Sequence, residues 1–309
     1  MKRITALLLS FVIFACITAC SFPKTESGEY TFFDDLGEAV SISNSDKIAA
    51  LHASFADCWL LAGGTLAAVT SDAIAEHGLD VGDAAIVGTA KTTDLEALVA
   101  SGATVALLSL DISAHVELRA TLMELGIKCI YFRVDTFEDY ASVMRRLCTA
   151  TGRDDLFCQN VTCVGEKIAQ ISETVGNTDG RRILLMRAYS SGIKAKRDDT
   201  LAGVILKEFG LLNIADEHPS LLEDISLEHI VAADPDYIFV LTMGSEEAAL
   251  NYLYANVESN PAFAALRAVS HGNYHVLPKS LFHHKPNERW AESYEYLAKI
   301  LYPELFSGK

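Results

Sequence analysis

The chain lacks an excess of basic residues. Its 309 residues include 25 Lys and Arg against 41 Asp and Glu, which gives a formal net charge of −16. Proteins bind nucleic-acid backbones through clusters of Lys and Arg, so this balance predicts no nucleic-acid partner. Gly (19) and Pro (7) are too few for a collagen-like or low-complexity chain. Half of the residues are hydrophobic, which excludes an intrinsically disordered chain.

Common catalytic and metal-binding motifs are also missing. The sequence contains no GxSxG elbow, GxGxxG loop, P-loop, HExxH pair or EF-hand loop. Its 9 histidines are scattered along the chain, whereas a zinc site takes about three or four convergent ligands. We therefore expect no catalytic centre, no resident cofactor and no directly bound metal ion.

A long apolar run occurs at the N-terminus, where Lys2 and Arg3 precede Ala6–Ile17. The run is shorter than the ~20 residues that a membrane-spanning helix needs, and small residues follow it, as in a secretory signal. Ile17-Thr18-Ala19-Cys20 resembles a bacterial lipobox. We therefore predict a signal peptide over residues 1–19, a lipid-modified Cys20 and a tether over residues 20–29. The mature protein would be lipid-anchored to the cell membrane on its extracytoplasmic face, either on a Gram-positive surface or in a periplasm.

The remaining cysteines do not suggest a disulfide framework. Cys58, Cys129, Cys148, Cys158 and Cys163 are odd in number, and no CxxC motif occurs. A domain of this size does not need disulfides to be stable. We expect buried free thiols.

Short apolar runs and amphipathic stretches alternate along the rest of the chain. Tyr30–Phe33 and Ala39–Ile42 flank a turn and predict a hairpin. The later runs have the length of buried strands and are separated by helical stretches, a pattern typical of parallel sheets covered on both faces. Gln159–Val175 predicts one long helix between two such α/β regions. The predicted divisions are an N-terminal lobe over 30–157, a connecting helix over 158–177 and a C-terminal lobe over 178–309.

Polar and cationic residues cluster where predicted strands end. Ligands of parallel α/β sheets bind outside the carboxyl ends of the strands. The basic Lys194–Arg197 stretch could face an anionic ligand, although a solvated loop would explain it equally well. Ser54 is also expected to cap the following helix. The predicted ligand-binding residues are His52, Ser54, Trp59, Lys91, Arg187, Tyr189, Lys194, Met243, His283 and His284.

Five stretches in order resemble one protein family: Tyr30–Ser43, Lys47–Gly64, Ile86–Leu98 with Ala103–Leu108, Ile225–Val240 and Asn260–Pro303. Together with the lipobox, they resemble the substrate-binding lipoproteins of ABC importers, in the class III periplasmic binding protein group that binds iron–siderophore complexes, haem or cobalamin. The resemblance implies an α/β fold of two Rossmann-like lobes with parallel sheets, joined by a single long helix. It also implies a ligand held between the lobes, a monomer, and an ABC permease with its ATPase as partners.

The resemblance further implies docking on permease arginines through one acidic residue of each lobe. Asp57 matches the first of these residues, at a position where the family usually has Glu. Glu208 is the approximate match in the second lobe. An ordinary exposed acid is the alternative for both.

The ligand prediction is an iron–siderophore-type chelate. Such a chelate needs cations and aromatic walls but no protein ligand to iron. Haem is the first alternative, because His283 or His284 with Met186 or Met243 would suit its iron, although core packing explains Met186 better. Cobalamin would need a more aromatic cleft than 2 tryptophans suggest. An exported α/β enzyme acting on a small anionic metabolite, or an adhesion or sensing module, is the alternative from another class.

Overall fold

The structure is a computed structural model that describes residues 28–176, 180–223 and 225–306. The predicted signal peptide, Cys20 and most of the tether lie outside these residues. No helix in the described part of the chain has both the length and the apolar character needed to cross a membrane.

The first lobe is an α/β unit that begins with a hairpin. Its elements are Glu29–Phe33 (β1), Ala39–Ser43 (β2), Ile48–Ala50 (β3), Ala53–Leu61 (α1), Leu66–Val69 (β4), Asp72–Ala75 (α2), Ala85–Ile86 (β5), Gly88–Thr89 (β6), Thr92–Thr93 (β7), Leu95–Ala100 (α3), Val105–Ser109 (β8), Ser113–Glu117 (α4), Arg119–Glu124 (α5), Lys128–Phe132 (β9) and Phe137–Thr151 (α6). The main sheet is parallel, in the order β5-β4-β3-β8-β9. The predicted hairpin is confirmed, since β1 pairs antiparallel with β2.

A helical segment then connects the two sheets. It consists of Asp154–Phe157 (α7), a π-helical turn over Cys158–Thr162, and Cys163–Val175 (α8). The cysteine prediction is correct in part, because all five thiols are free and Cys58 and Cys148 are buried. It is wrong for Cys158 and Cys163, which are exposed because the polar side of the connecting segment carries them.

The second lobe repeats the α/β arrangement. Its elements are Arg182–Tyr189 (β10), Gly192–Ala195 (β11), Leu201–Glu208 (α9), Leu212–Asn213 (β12), Ile214–Glu217 (α10), a 3-10 turn over Pro219–Leu222, Leu227–Ala233 (α11), Tyr237–Thr242 (β13), Glu246–Leu253 (α12), a π-helical turn over Tyr254–Glu258, Pro261–Ala264 (α13), Arg267–Ser270 (α14), Tyr274–Val276 (β14), Lys279–Phe282 (α15), a 3-10 turn over Asn287–Arg289, Trp290–Leu301 (α16) and Pro303–Phe306 (α17).

The sheet of the second lobe is mixed. Its order is β11-β10-β13-β14, and β12 pairs with the beginning of β10. The pairs formed by β10, β12, β13 and β14 are parallel, as predicted, whereas β11 is antiparallel to β10. The expectation of a wholly parallel sheet is therefore wrong at this edge. Ser190 and Ser191 form a tight turn that folds the chain back as a hairpin.

The last part of the chain ties the two lobes together. Residues 283–289, which we call the strap, leave the second lobe after α15 and return to the first lobe. Helix α16 then packs along α8, and Trp290 at its start is fully buried. The Trp290 ring contacts Phe137 of α6 edge to face, with 6.2 Å between ring centroids. Lys285 of the strap contacts Asp111, just after β8, and Val134, just after β9, so the strap lies at the carboxyl ends of these two first-sheet strands.

Candidate functional site

Histidines from both lobes meet at the strap. The His284 ring lies 4.5 Å from the His77 ring, and His283 lies 4.8 Å from His284, measured between centroids. His284 Nε2 is 3.7 Å from the Glu76 carboxylate. His283 and His284 were predicted from the sequence, but Glu76 and His77 were not, because no strand-end pattern marks the loop that follows α2.

His52 lies at the start of α1 on the first-lobe side. Its ring packs against Phe55, with centroids 4.9 Å apart, and its buried Nδ1 atom has no hydrogen-bond partner among the described residues. The expectation that Ser54 caps α1 is wrong, since His52 occupies the N-cap position without a side-chain cap. Ser54 lies inside the first turn and is only 1% exposed. Its hydroxyl is therefore turned into the protein.

Burial keeps the histidines of the site neutral. Burial lowers the pKa of His283 to about 4, with further contributions from the positive charges of Lys279 and Arg187. Burial also lowers the pKa values of His77 and His284, and it lowers the pKa of His52 well below its ordinary value. The imidazoles therefore add polar atoms to the cleft at neutral pH without adding charge.

Arg187 is an unmatched cation at the carboxyl end of β10. Each of the other arginines in the described residues has a carboxylate, hydroxyl or carbonyl partner. Arg187 makes no such contact there, and its Nε atom is buried without a partner. Lys194 lies directly opposite Arg187 in the β10–β11 pair, so two like charges share one face of the hairpin. Such a pair is unfavourable until an anion compensates it.

The hairpin also borders a cavity of about 700 Å³. Tyr189 and Lys194 of this hairpin line the cavity. The cavity combines aromatic, cationic, amide and apolar side chains with one acidic residue, Glu223. Its lining includes Tyr189, Lys194, Tyr252, Asn256, Ile193 and Val257.

Three other predicted residues differ in exposure and surroundings. Trp59 is 6% exposed, and its Nε1–H donates to the carbonyl oxygen of Thr65 at 2.8 Å, so it is a core residue rather than a cleft wall. Lys91 is exposed in the turn between β6 and β7. Met243 is half-buried after β13, where its backbone N–H donates to Ala188. Met186 is fully buried in the core, which confirms the core-packing explanation.

The two predicted docking carboxylates each accept a hydrogen bond. Asn287 Nδ2 donates to Asp57 Oδ2 at 2.7 Å, and the Tyr294 hydroxyl donates to Glu208 Oε2 at 2.5 Å. Burial raises the pKa of both carboxyls. Asp57 is half-buried on α1, and Glu208 is exposed at the end of α9. In residues 28–176, 180–223 and 225–306, no group of three or more His, Cys, Asp or Glu side chains is arranged to hold a metal ion.

A sequence model of the periplasmic binding protein family matches residues 48–281, which include the main sheets of both lobes. The chain belongs to the periplasmic binding protein family. No curated protein sequence matches it.

Solved structures of similar fold agree with this membership. The petrobactin-binding protein YclQ from Bacillus subtilis has 18% sequence identity and a TM-score of 0.68, over 90% of this chain and 98% of its own. IsdE of Staphylococcus aureus, complexed with haem, has 13% identity and a TM-score of 0.67, over 84% and 100%. SirA of Staphylococcus aureus, complexed with staphyloferrin B, has 15% identity and a TM-score of 0.64, over 89% and 98%. The two-lobe periplasmic binding protein fold is thereby confirmed.

Acidification from pH 7 to pH 5 is expected to destabilise this periplasmic binding protein by about 1–3 kcal/mol. The histidines of the cleft have lower pKa values in the folded than in the unfolded state. The unfolded chain therefore binds more protons below pH ~6.5, and stability falls with pH until the folded-state pKa is reached. Chemical denaturation at several pH values measures how steeply the free energy of unfolding depends on pH. His283→Ala should make this dependence less steep, and a pH-independent stability would contradict the burial of these imidazoles.

Proposed function

We propose that this periplasmic binding protein is the lipid-anchored extracytoplasmic receptor of an ABC importer. It captures an iron–siderophore-type chelate between its lobes and delivers it to the permease without performing chemistry. Family membership supports this proposal, and so do a petrobactin-binding protein and a staphyloferrin B complex of similar fold. The predicted signal peptide and Cys20 provide the anchor.

The unpartnered Arg187 is the observation that favours an anionic chelate. A buried guanidinium donor without a partner is costly, and a ligand oxygen bearing negative charge would relieve that cost. Lys194 on the same face of the hairpin adds a second positive charge. In a partly desolvated cleft, two cations attract an anion much more strongly than they do in water.

Haem is the second candidate, favoured by a different observation. His283 and His284 are adjacent in the cleft, and the low pKa of His283 keeps its imidazole in the neutral form that coordinates iron. A relative of similar fold is known in complex with haem. The proposed role as an importer receptor is the same for both ligands.

A titration of the mature protein distinguishes these ligands. Tryptophan fluorescence and visible absorbance would be measured while ferric catecholates, ferric hydroxamates, haem or cobalamin are added. Saturable quenching by a ferric chelate without a shifted Soret band supports the iron–siderophore proposal. A shifted Soret band that disappears in His283→Ala or His284→Ala would assign haem instead. If none of these ligands changed the fluorescence or the absorbance, the receptor proposal would be contradicted.

Permease docking is tested by changing one carboxylate on each lobe. Asp57→Ala combined with Glu208→Ala is expected to reduce cellular uptake of radiolabelled iron several-fold, at chelate concentrations that saturate the variant in a binding titration. The matched control combines Glu96→Ala with Glu228→Ala, two exposed acids on helices of the two lobes. If the docking variant took up as much iron as the control variant, Asp57 and Glu208 would not be permease-docking residues.

A further inference from the structure

The strap is fastened to the first lobe at two points. Lys285 Nζ donates to the Asp111 carboxylate at 3.2 Å and to the carbonyl oxygen of Val134. Two residues later, Asn287 is inserted against α1 and is only 1% exposed. The strap thus belongs to the second lobe by sequence and to the first lobe by packing.

Asn287 forms the second attachment with its whole side chain. Its Nδ2 donates to the carbonyl oxygen of Ser54 at 2.9 Å and to Asp57 Oδ2 at 2.7 Å. Its Oδ1 accepts from the Cys58 thiol at 3.5 Å. Asn287 has a φ of +49°, and Asp234 is the only other non-glycine residue with positive φ in the described part of the chain. Asparagine tolerates this conformation, which persists where the surrounding contacts enforce it.

The same short segment reaches the cleft at its other end. His284, three residues before Asn287, packs against His77 and approaches Glu76 of the first lobe. The amides of His283 and His284 both donate to the carbonyl oxygen of Lys279. A displacement of Asn287 would therefore be transmitted through a few residues to the histidines beside Arg187.

The surroundings of Asp57 would favour a positively charged hydrogen-bond partner more than the neutral amide of Asn287. Glu288 follows Asn287 directly, and its buried Oε2 has no hydrogen-bond partner among the described residues. Asp57 contributes to raising the pKa of Glu288, so the two carboxyl groups influence each other electrostatically. One amide donor compensates this pair incompletely, whereas a guanidinium or ammonium group would supply both charge and donors.

We propose that Asn287 couples Asp57 to the ligand cleft. When a cationic side chain of a partner engages Asp57, the carboxylate leaves Asn287 and the strap detaches from α1. The strap then stays attached to the first lobe only through Lys285, and this weaker attachment lets His283 and His284 move away from His77. The cleft then opens and releases its ligand. This inference rests on the proposed function, in which the cationic partner is the permease, and it adds the route from docking to release.

Amide hydrogen exchange of the full mature chain tests the coupling without ligand or permease. Asp57→Ala is expected to speed the exchange of the strap amides of His283, His284 and Arg289 about tenfold or more, as the loss of one charge-assisted hydrogen bond implies. Asn287→Ala should have the same effect. Asn287→Gly also removes the amide side chain, and glycine adopts the positive φ of this position without the strain that alanine would add. The matched control is Glu208→Ala, which breaks a carboxylate–tyrosine hydrogen bond to α16 and removes no contact of the strap itself.

The outcomes separate this inference from the proposed function. Faster exchange in Asp57→Ala and in both Asn287 variants, with unchanged exchange in Glu208→Ala, supports the coupling. Unchanged strap exchange in Asp57→Ala overturns it, and so does an equal increase in Glu208→Ala. The hydrogen-exchange experiment contains no ligand, so its result would remain valid even if the protein bound no chelate in the titration. Confirmed chelate binding with an unresponsive strap would overturn the coupling alone.

Discussion

Replacing Arg187 with alanine is expected to weaken chelate binding by roughly 10- to 100-fold, the range implied by losing a hydrogen bond from a charged donor. Arg187 has no partner among the described residues, so its guanidinium is available to a ligand. Removing an unpartnered buried donor costs the folded state little. The thermal midpoint should therefore stay the same or rise while affinity falls. Fluorescence titration and thermal unfolding of the same variant measure both quantities.

Two further variants isolate the role of Arg187. Arg187→Lys should bind with intermediate affinity, because it keeps the charge but loses the planar set of donors. Arg197→Ala is the matched control, since Arg197 donates to the carbonyl oxygen of Ala215 and pairs with Asp216. It should retain full affinity. If Arg187→Ala bound the chelate as tightly as the wild-type protein, the cations of this hairpin would be solvated residues rather than ligand contacts.

Replacing Trp290 with alanine is expected to destabilise the protein by about 3–5 kcal/mol, as for other fully buried large aromatic residues. Trp290 is 0% exposed and heads the set of largest fully buried side chains. Its ring packs on Phe137 of the first lobe, and it begins the helix that runs along the connecting helix α8. The cavity left by alanine would open at the junction of the two lobes. The free energy of unfolding from chemical denaturation measures the effect.

The size of this effect is judged against two other substitutions. Trp290→Phe should cost less than alanine, because a ring would still occupy most of the space. Tyr254→Ala removes a ring that is 61% exposed and should change stability by no more than about 0.5 kcal/mol. A loss below about 1 kcal/mol for Trp290→Ala would show that the junction does not depend on this packing.

Regular patterns made much of the fold predictable. The closing helix Trp290–Leu301 could be predicted from the sequence, because its apolar face repeats with helical spacing. The parallel strands of the first sheet were found as short apolar runs, since both faces of the sheet are covered. The antiparallel β11 was missed. Its residues include Lys194 of the basic stretch, for which a ligand-facing segment and a solvated loop were the two alternatives.

The candidate site was predictable only in part, because it is assembled from distant segments. His52, Arg187, His283 and His284 follow strands and could be found by the rule that ligands bind at carboxyl ends. His77 could not, since only the tertiary fold brings it to His284. Trp59 was placed in the cleft on residue type alone, and its contact with Thr65 shows why residue type was insufficient. Asn287 carries no sequence signal, as its role depends on the path of the strap.

Crystallographic localisation of the iron is the most direct test of a ligand held between the lobes. Crystals of the mature protein would be grown with the ferric chelate or haem that binds most tightly in the titration. An anomalous difference map collected at the iron edge would then locate the metal. The account predicts one strong peak between the two lobes, beside Arg187 and the His283–His284 pair. A peak confined to the cavity behind the β10–β11 hairpin, or on the outer surface of either lobe, would contradict it.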